Sequence, residues 1–268
     1  MARHIDHIVI AVRDLKQASA DYERAGFTVT PGGEHASGGT YNALVCFADG
    51  TYFELIAFRD VDEAREHRWW PELARGEGYV DFALGSDALA VKADEVRAAG
   101  LEVEGPRDGG RQRPDGEELR WRTLWLRDEA GTPLPFVIED VTPRELRVPG
   151  GAAAYHALGV TRVEGVRVVV ADLARGVESF RALLGSPGVP IVPVIAGVGS
   201  AHRFFLGEQW IVLSQPDDSP SEIRQYLQQH GPSAYEVTLG GPDAAETIGR
   251  RIPVITAHGA RIRVPVPL

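Results

Sequence analysis

The stretch Ile5-Asp6-His7-Ile8-Val9-Ile10-Ala11-Val12-Arg13-Asp14-Leu15 decides how the rest of the chain is read. It is an apolar strand with a histidine near its start, running into a helix whose N-cap is Asp14. The helix carries Leu15, Ala18, Tyr22 and Ala25 on one stripe, and Gly26 stands where a left-handed residue closes it. Phe27 to Val29 then reads as a short strand, and Pro31 to Gly39 as a glycine-rich loop. Thr40 to Phe47 is the next strand, Ala48-Asp49-Gly50 a tight connection, and Tyr52 to Phe58 a further strand. The unit is β-α-β-β-β.

The same order returns. After a helix predicted from Val61 to Leu73 come a strand at Val80 to Leu84, a cap at Asp87, apolar Leu89, Val91 and Val96, a closing Gly100 and a strand at Leu101 to Val103. A long polar loop, Gly105 to Glu118, precedes strands at Leu119 to Leu126 and Leu134 to Glu139. Landmarks repeating in order over such a spacing point to duplication. Pro143 to Gly159 is rich in Pro, Gly and Ala without periodicity and marks a boundary, dividing the chain into residues 1–145 and 160–268.

A third unit follows: a strand at Val163 to Val170, cap Asp172, a helix closing at Gly185, and strands near Ile191 to Ile195, His202 to Leu206 and Gln209 to Ser214. A helix from Ser219 to Gln229 leads to a fourth, with a strand at Tyr235 to Leu239, a cap at Asp243 and a helix end at Ala257-His258-Gly259. Arg261 to Leu268 is enough for one more strand, so this last unit reads as truncated.

The 268 residues carry a formal charge of −10. That balance, with no long Lys/Arg stripe, argues against nucleic acid and toward small-molecule partners. No apolar run approaches membrane-span length and no apolar leader is seen, so the expectation is a cytoplasmic protein without membrane association. Cys46 is the single cysteine, which excludes a disulfide framework and a cysteine-based zinc site.

Paired β-α-β-β-β units with a His on the first strand and a Glu on the fourth resemble the vicinal oxygen chelate superfamily, and the stretches Asp6–Val9, Thr30–His35, Asn42–Val45 and Phe47–Leu55 look like its glyoxalase-like domain proteins. The resemblance implies an α+β fold of tandem half-barrels with a ligand cleft inside, the second domain being degenerate. It also implies metal ligands on the first and fourth strands of each unit. His7 and Glu54 take those places in unit one. In unit two they fall on Asp81 and on Pro135, which cannot ligate, and in unit three on Gly165 and Val212. The implied cofactor is one divalent ion, Zn, Ni, Fe or Mn, at His7, Glu54 and Asp81.

The residues themselves leave alternatives open. Strand alternation puts His7, Val9 and Ala11 on one face and Ile8, Ile10 and Val12 against the helix. Glu54, set among Tyr52, Phe53, Leu55 and Ile56, needs a partner, because an unpaired buried carboxylate costs several kcal/mol. A metal, a direct His7–Glu54 hydrogen bond or a bound ligand would each serve. For Asp81 the residue type favours a local bond to backbone over ligation. His35, Thr40 and Asn42 from the loop and third strand of unit one, with Trp121, Thr123 and Trp125 of unit two, are expected to line the cleft. Trp69-Trp70 reads as a helix anchor rather than a ligand wall; Arg111 and Arg113 lie in the long loop, where they could clamp an acidic substrate, but the preferred reading is a solvated loop.

Two functions fit. One is a metal-dependent lyase or isomerase of the glyoxalase kind, with Glu54 catalytic; a dioxygenase is disfavoured because position 81 lacks a second histidine. The other is a metal-free binding or sequestering protein resembling bleomycin-resistance proteins. The edges left by the truncated unit suggest a homodimer.

Overall fold

The computed structural model describes residues 4–36, 39–60, 67–241 and 251–264. Unit one comprises β1 (His4–Ala11), α1 (Leu15–Ala25), β2 (Thr30–His35), β3 (Thr40–Cys46) and β4 (Tyr52–Phe58). Helix α1 starts where Asp14 accepts a hydrogen bond from the Gln17 amide and stops at Gly26, whose φ of 102° favours glycine. The short α2 (Trp70–Arg75) precedes unit two: β5 (Gly78–Gly85), α3 (Leu89–Ala98), β6 (Glu102–Gln112), β7 (Glu118–Arg127) and β8 (Phe136–Asp140).

These eight strands close into a barrel in the order β1-β4-β3-β2-β6-β7-β8-β5. One seam is the antiparallel pairing of β1 with β5, and the other is a short pairing of β2 with β6, where Glu34 faces Gln112 and His35 faces Arg111. The second seam requires strand where a polar loop was expected. Gly105 to Gln112 belongs to β6, and Arg111, expected in solvent, is only 4% exposed inside the barrel. An extended polar segment can be strand when its glycines admit a partner's side chains, as Trp121 lies against Gly109.

Three further expectations are corrected. The strand after α1 is β2 at Thr30–His35, inside the expected glycine-rich loop, and Phe27 to Val29 is not strand. The N-cap of α3 is Ala88 with no side-chain bond, so Asp87 does not cap it; Glu139 Oε1 accepts from the Leu89 amide at 3.1 Å instead. The inter-unit helix appears at Trp70–Arg75, and residues 61–66 of the predicted span lie outside the described residues.

A short helix, α4 (Arg144–Arg147), and a 3-10 turn at Gly151–Ala154 lead to β9 (Arg162–Val169), α5 (Leu173–Leu184), β10 (Val189–Ile191), β11 (Val198–Leu206) and β12 (Gln209–Pro216). Then come α6 (Glu222–His230), β13 (Ser233–Gly240), β14 (Arg251–Ile252) and β15 (Ile262–Arg263). These strands form an open seven-stranded sheet, β10-β11-β12-β9-β13-β15-β14. Ala257 to Gly259 lies in a turn rather than at a helix end, and Asp243 lies outside the described residues.

Ile8, Ile10 and Val12 pack outward with Tyr22 and Phe53 into a core continuous with Val163, Val166 and Phe180 of the second sheet. Val9 and Ala11 face inward with Trp69, Ala83 and Phe136. Strand alternation therefore sets a dry outer face toward the helices and an inner face toward a cleft. No helix among the described residues is long and apolar enough to cross a membrane.

Candidate functional site

The barrel interior holds a cavity of about 500 Å³. Unit one supplies its polar floor, including His7, His35, Asn42 and Glu54; unit two supplies Arg111, Trp121, Thr123 and Trp125.

Glu54 sits at the centre of the floor, 6% exposed. Its Oε1 accepts from Asn42 Nδ2 at 2.6 Å and lies 3.3 Å from His35 Nε2, while Oε2 lies 3.6 Å from His7 Nε2. Burial pushes the Glu54 carboxyl up. The hydrogen bond and positive field of His35, the field of His7 and the Asn42 amide outweigh it and hold the group at about 2. Thr40 Oγ1 fixes the other face of His35, 2.7 Å from Nδ1.

His7 is held from three sides. Tyr52 stacks on it with ring centroids 4.6 Å apart, Phe136 meets it edge-on at 5.4 Å, and its Nδ1 lies 2.7 Å from Asp6 Oδ1. Simple alternation would turn Asp6 away from its neighbour. The β1–β5 register slips between Ile5 and His7, so a bulge at Asp6 breaks the alternation and puts Ile5 with Ile8 in the outer core. Asp6, 1% exposed, also accepts from Arg147 Nη1 at 2.9 Å and Nη2 at 3.0 Å and is bonded by Arg144. Burial alone would raise the Asp6 carboxyl; Arg147, with His7, brings it well below the usual range. Arg147 is tied in turn to Asp140 at 2.5 and 2.9 Å and to the Tyr52 hydroxyl at 2.7 Å. An ionised Asp6 on Nδ1 selects the His7 tautomer whose Nε2 faces the cleft.

Arg111 enters from β6. Its Nη1 donates to Asn42 Oδ1 at 3.0 Å and Nη2 to the Arg147 carbonyl at 3.3 Å, whereas its buried Nε has no partner. Burial lowers its guanidinium. Gly32 makes room for this contact, since a Cβ there would stand 2.0 Å from Asn42 Oδ1 and 2.6 Å from Arg111 Nη1. The upper walls are aromatic. Trp121 meets His35 edge-on at 6.0 Å, Trp125 packs on Phe136 at 4.5 Å, and Thr123 lies between the two tryptophans on the inner face of β7.

Trp69, read as an anchor in preference to a ligand wall, lines the cleft, and Trp70 packs edge-on against Phe58 at 5.9 Å. His67 also lines the cleft; burial, then the fields of His35 and Arg68, bring its imidazole down to about 4.

Asp81 does not join this group. In register it stands beside Val9, which separates it from Glu54. Its Oδ2 accepts from Trp69 Nε1 at 3.1 Å and lies 3.6 Å from Arg68, and its Oδ1 accepts from the Phe82 amide at 2.9 Å. Burial pushes the Asp81 carboxyl up to about 6. Pro135 precedes β8, and Phe136 and Ile138 fill the cleft beside it. Among the described residues no group of three or more His, Cys, Asp or Glu is disposed to hold a metal ion. Cys46 is fully buried, its thiol pushed up to about 12 by burial, and belongs to the core. Sequence reasoning missed Asp6 and Arg147, which pair across 141 positions, and preferred Arg111 in solvent; adjacency of Asp6 to His7 was the one available signal.

Closed β-α-β-β-β pairs around such a cleft define the vicinal oxygen chelate fold. The family model described as a Glyoxalase-like domain matches residues 5–184, more than half of the chain, and the protein belongs to that family. Among solved structures, a hypothetical protein from Staphylococcus aureus is similar at a TM-score of 0.73, with 14% identity, over 96% of this chain and 98% of that one. A mutant of 4-hydroxymandelate synthase from Streptomyces coelicolor is similar at 0.61, with 18% identity, over 91% and 73%. A xylose isomerase-like TIM barrel/4-hydroxyphenylpyruvate dioxygenase fusion protein gives 0.56, with 15% identity, over 90% and 36%. At these identities the likeness is one of fold. Among curated protein sequences there is no match.

Proposed function

We propose that the barrel cleft binds a small organic acid with an apolar, planar body and moves a proton on it in a lyase or isomerase reaction, with residues 1–145 as the binding domain. The observation that carries this reading is the 2.7 Å contact between Asp6 and His7, which leaves Nε2 facing the cavity. Arg111, with its unpartnered Nε, is the group for a carboxylate, and Trp121, Trp125 and Phe136 suit a planar body.

His7 Nε2 takes a proton from a carbon next to a carbonyl, and the electron pair moves onto the carbonyl oxygen. The imidazolium so formed lies between two carboxylates, Asp6 and Glu54. Arg111 provides the positive group for the oxyanion. Return of the proton to a different carbon gives an isomerase, and loss of a leaving group from the enolate gives a lyase. Glu54, held at about 2, is a weak base, so the proton-moving role expected of it passes to His7 and Glu54 orients the two imidazoles.

Members of the superfamily commonly hold a divalent metal, but the donor set here does not fit that ion. Unit two contributes Asp81, engaged by Trp69 and Arg68, and no ligand from β8, while Glu54 Oε1 is bonded by Asn42. His7 and Glu54 remain, and His35 Nε2 lies against Glu54 Oε1 at 3.3 Å; among the described residues no group of three or more His, Cys, Asp or Glu is disposed to hold a metal ion, where catalytic zinc sites present three protein ligands.

Two measurements test the reading. Calorimetric titration with phenylpyruvate should show saturable binding, weakened at least about tenfold in Arg111→Met; equal affinity in both proteins contradicts the assigned pose. Elemental analysis of untagged protein should find no stoichiometric metal. Stoichiometric Zn, Ni, Fe or Mn that disappears in both His7→Ala and Glu54→Ala would replace this reading with the metal-dependent one.

A further inference from the structure

The second sheet repeats the first unit, with an offset of 158 at the helix starts, where caps Asp14 and Asp172 precede Leu15 and Leu173, and in the strand pairs β1–β4 and β9–β12. The same offset places Gly165 where His7 stands, Trp210 where Tyr52 stands, and Arg167 where Val9 stands. The replacement is concerted. In the barrel Tyr52 stacks on His7. In the second sheet the Trp210 indole covers Gly165 so closely that a Cβ there would lie 2.1 Å from the ring. The imidazole is gone, and an indole fills its place.

One strand step deeper, the charge reverses. The barrel row Glu54–Val9–Asp81 becomes Val212–Arg167–Glu236, and β11 adds Arg203 beside Val212. A single carboxylate, Glu236, serves several cations here: Arg263 Nε lies 2.9 Å from it and Arg251 3.5 Å. Arg167 is only 8% exposed. It donates to Ser214 Oγ at 2.6 Å, and its buried Nε has no partner. Arg203 likewise has a buried, unpartnered Nε, and its guanidinium lies 5.6 Å from the Trp210 ring and 5.9 Å from that of Phe205. Phe205, two residues further along β11, is 54% exposed. Buried guanidinium groups without a matching anion are costly, and burial indeed lowers Arg167 against the pull of Glu236.

We propose that the inner face of the second sheet is a separate anion site, in which Arg167 and Arg203 bind the carboxylate or phosphate group of a small molecule beside Trp210. A planar carboxylate would accept from the forked donors side by side; a phosphate would present acceptor oxygens on a tetrahedron to the same donors.

The test uses the full chain carrying Arg111→Met, so that the barrel cleft does not dominate, titrated calorimetrically with benzoate and, separately, with inorganic phosphate. Saturable binding of either probe that weakens at least about tenfold on adding Arg203→Ala is expected. The tighter probe names the group recognised. Arg203 is half-buried, so this variant should retain the native circular dichroism; Trp210→Phe, in the same background, should abolish the fluorescence change on binding. Absence of saturable binding by both probes, or affinity indifferent to Arg203, overturns the proposal.

Discussion

Asp6 Oδ1 lies 2.7 Å from His7 Nδ1, although consecutive residues of a strand ordinarily point to opposite faces. The bulge that makes this contact possible also delivers Asp6 to Arg147, so the orientation of the cleft histidine and the closure of the segment after the barrel depend on one carboxylate.

Asp6→Asn should therefore destabilise strongly. It leaves Arg147, 3% exposed, with Asp140 as its remaining carboxylate, and breaking a buried pair costs about 3–5 kcal/mol. Urea unfolding should show the loss. A change below about 1 kcal/mol would mean that the Arg147–Asp140 pair alone holds the segment.

Stability should carry an unusual pH signature from Asp81. Its carboxyl titrates near 6 in the folded chain against 3.8 ordinarily, so the folded state holds the proton more tightly. The contribution of this group to stability is fully present below about pH 4 and is lost as pH rises through 6, amounting to about 3 kcal/mol. Glu54 acts in the opposite sense: held at about 2, it favours folding above its ordinary 4.5 and loses that contribution as pH falls toward 2. Unfolding midpoints measured from pH 4 to 7 should show the Asp81 slope in the native sequence and its disappearance in Asp81→Asn. An unchanged slope would remove Asp81 as its source.

Gly32→Ala is expected to damage the cleft more than the fold. The added methyl would lie 2.0 Å from Asn42 Oδ1, and the glycine's φ does not require a left-handed conformation. Displacing Asn42 and Arg111 should lower phenylpyruvate affinity at least about tenfold, with overpacking of about 1–3 kcal/mol in stability. Intact affinity would show that Arg111 takes no part in recognition.

The sequence made the first unit legible because local signals agree: Asp14 and Gly26 bracket an amphipathic helix, and Ile8, Ile10 and Val12 share a face. It made His7, Asn42 and Glu54 legible as neighbours because alternation on β1, β3 and β4 turns all three inward. Alternation failed at Asp6, where a bulge adds a residue, and at Gly105 to Gln112, whose polar composition hides a strand that closes the barrel. Arg147 was out of reach for another reason: 141 positions separate it from Asp6, and nothing local marks the partnership.

The most direct test of the central claim is proton exchange at the cleft. Phenylpyruvate incubated in deuterium oxide with the native protein should exchange its benzylic hydrogen above the uncatalysed rate, followed by proton NMR. His7→Gln should bind it with similar affinity and exchange at least about a hundredfold more slowly. Enhanced exchange that persists undiminished in His7→Gln, or binding with no enhancement in the native protein, would contradict the assignment of His7 as the base.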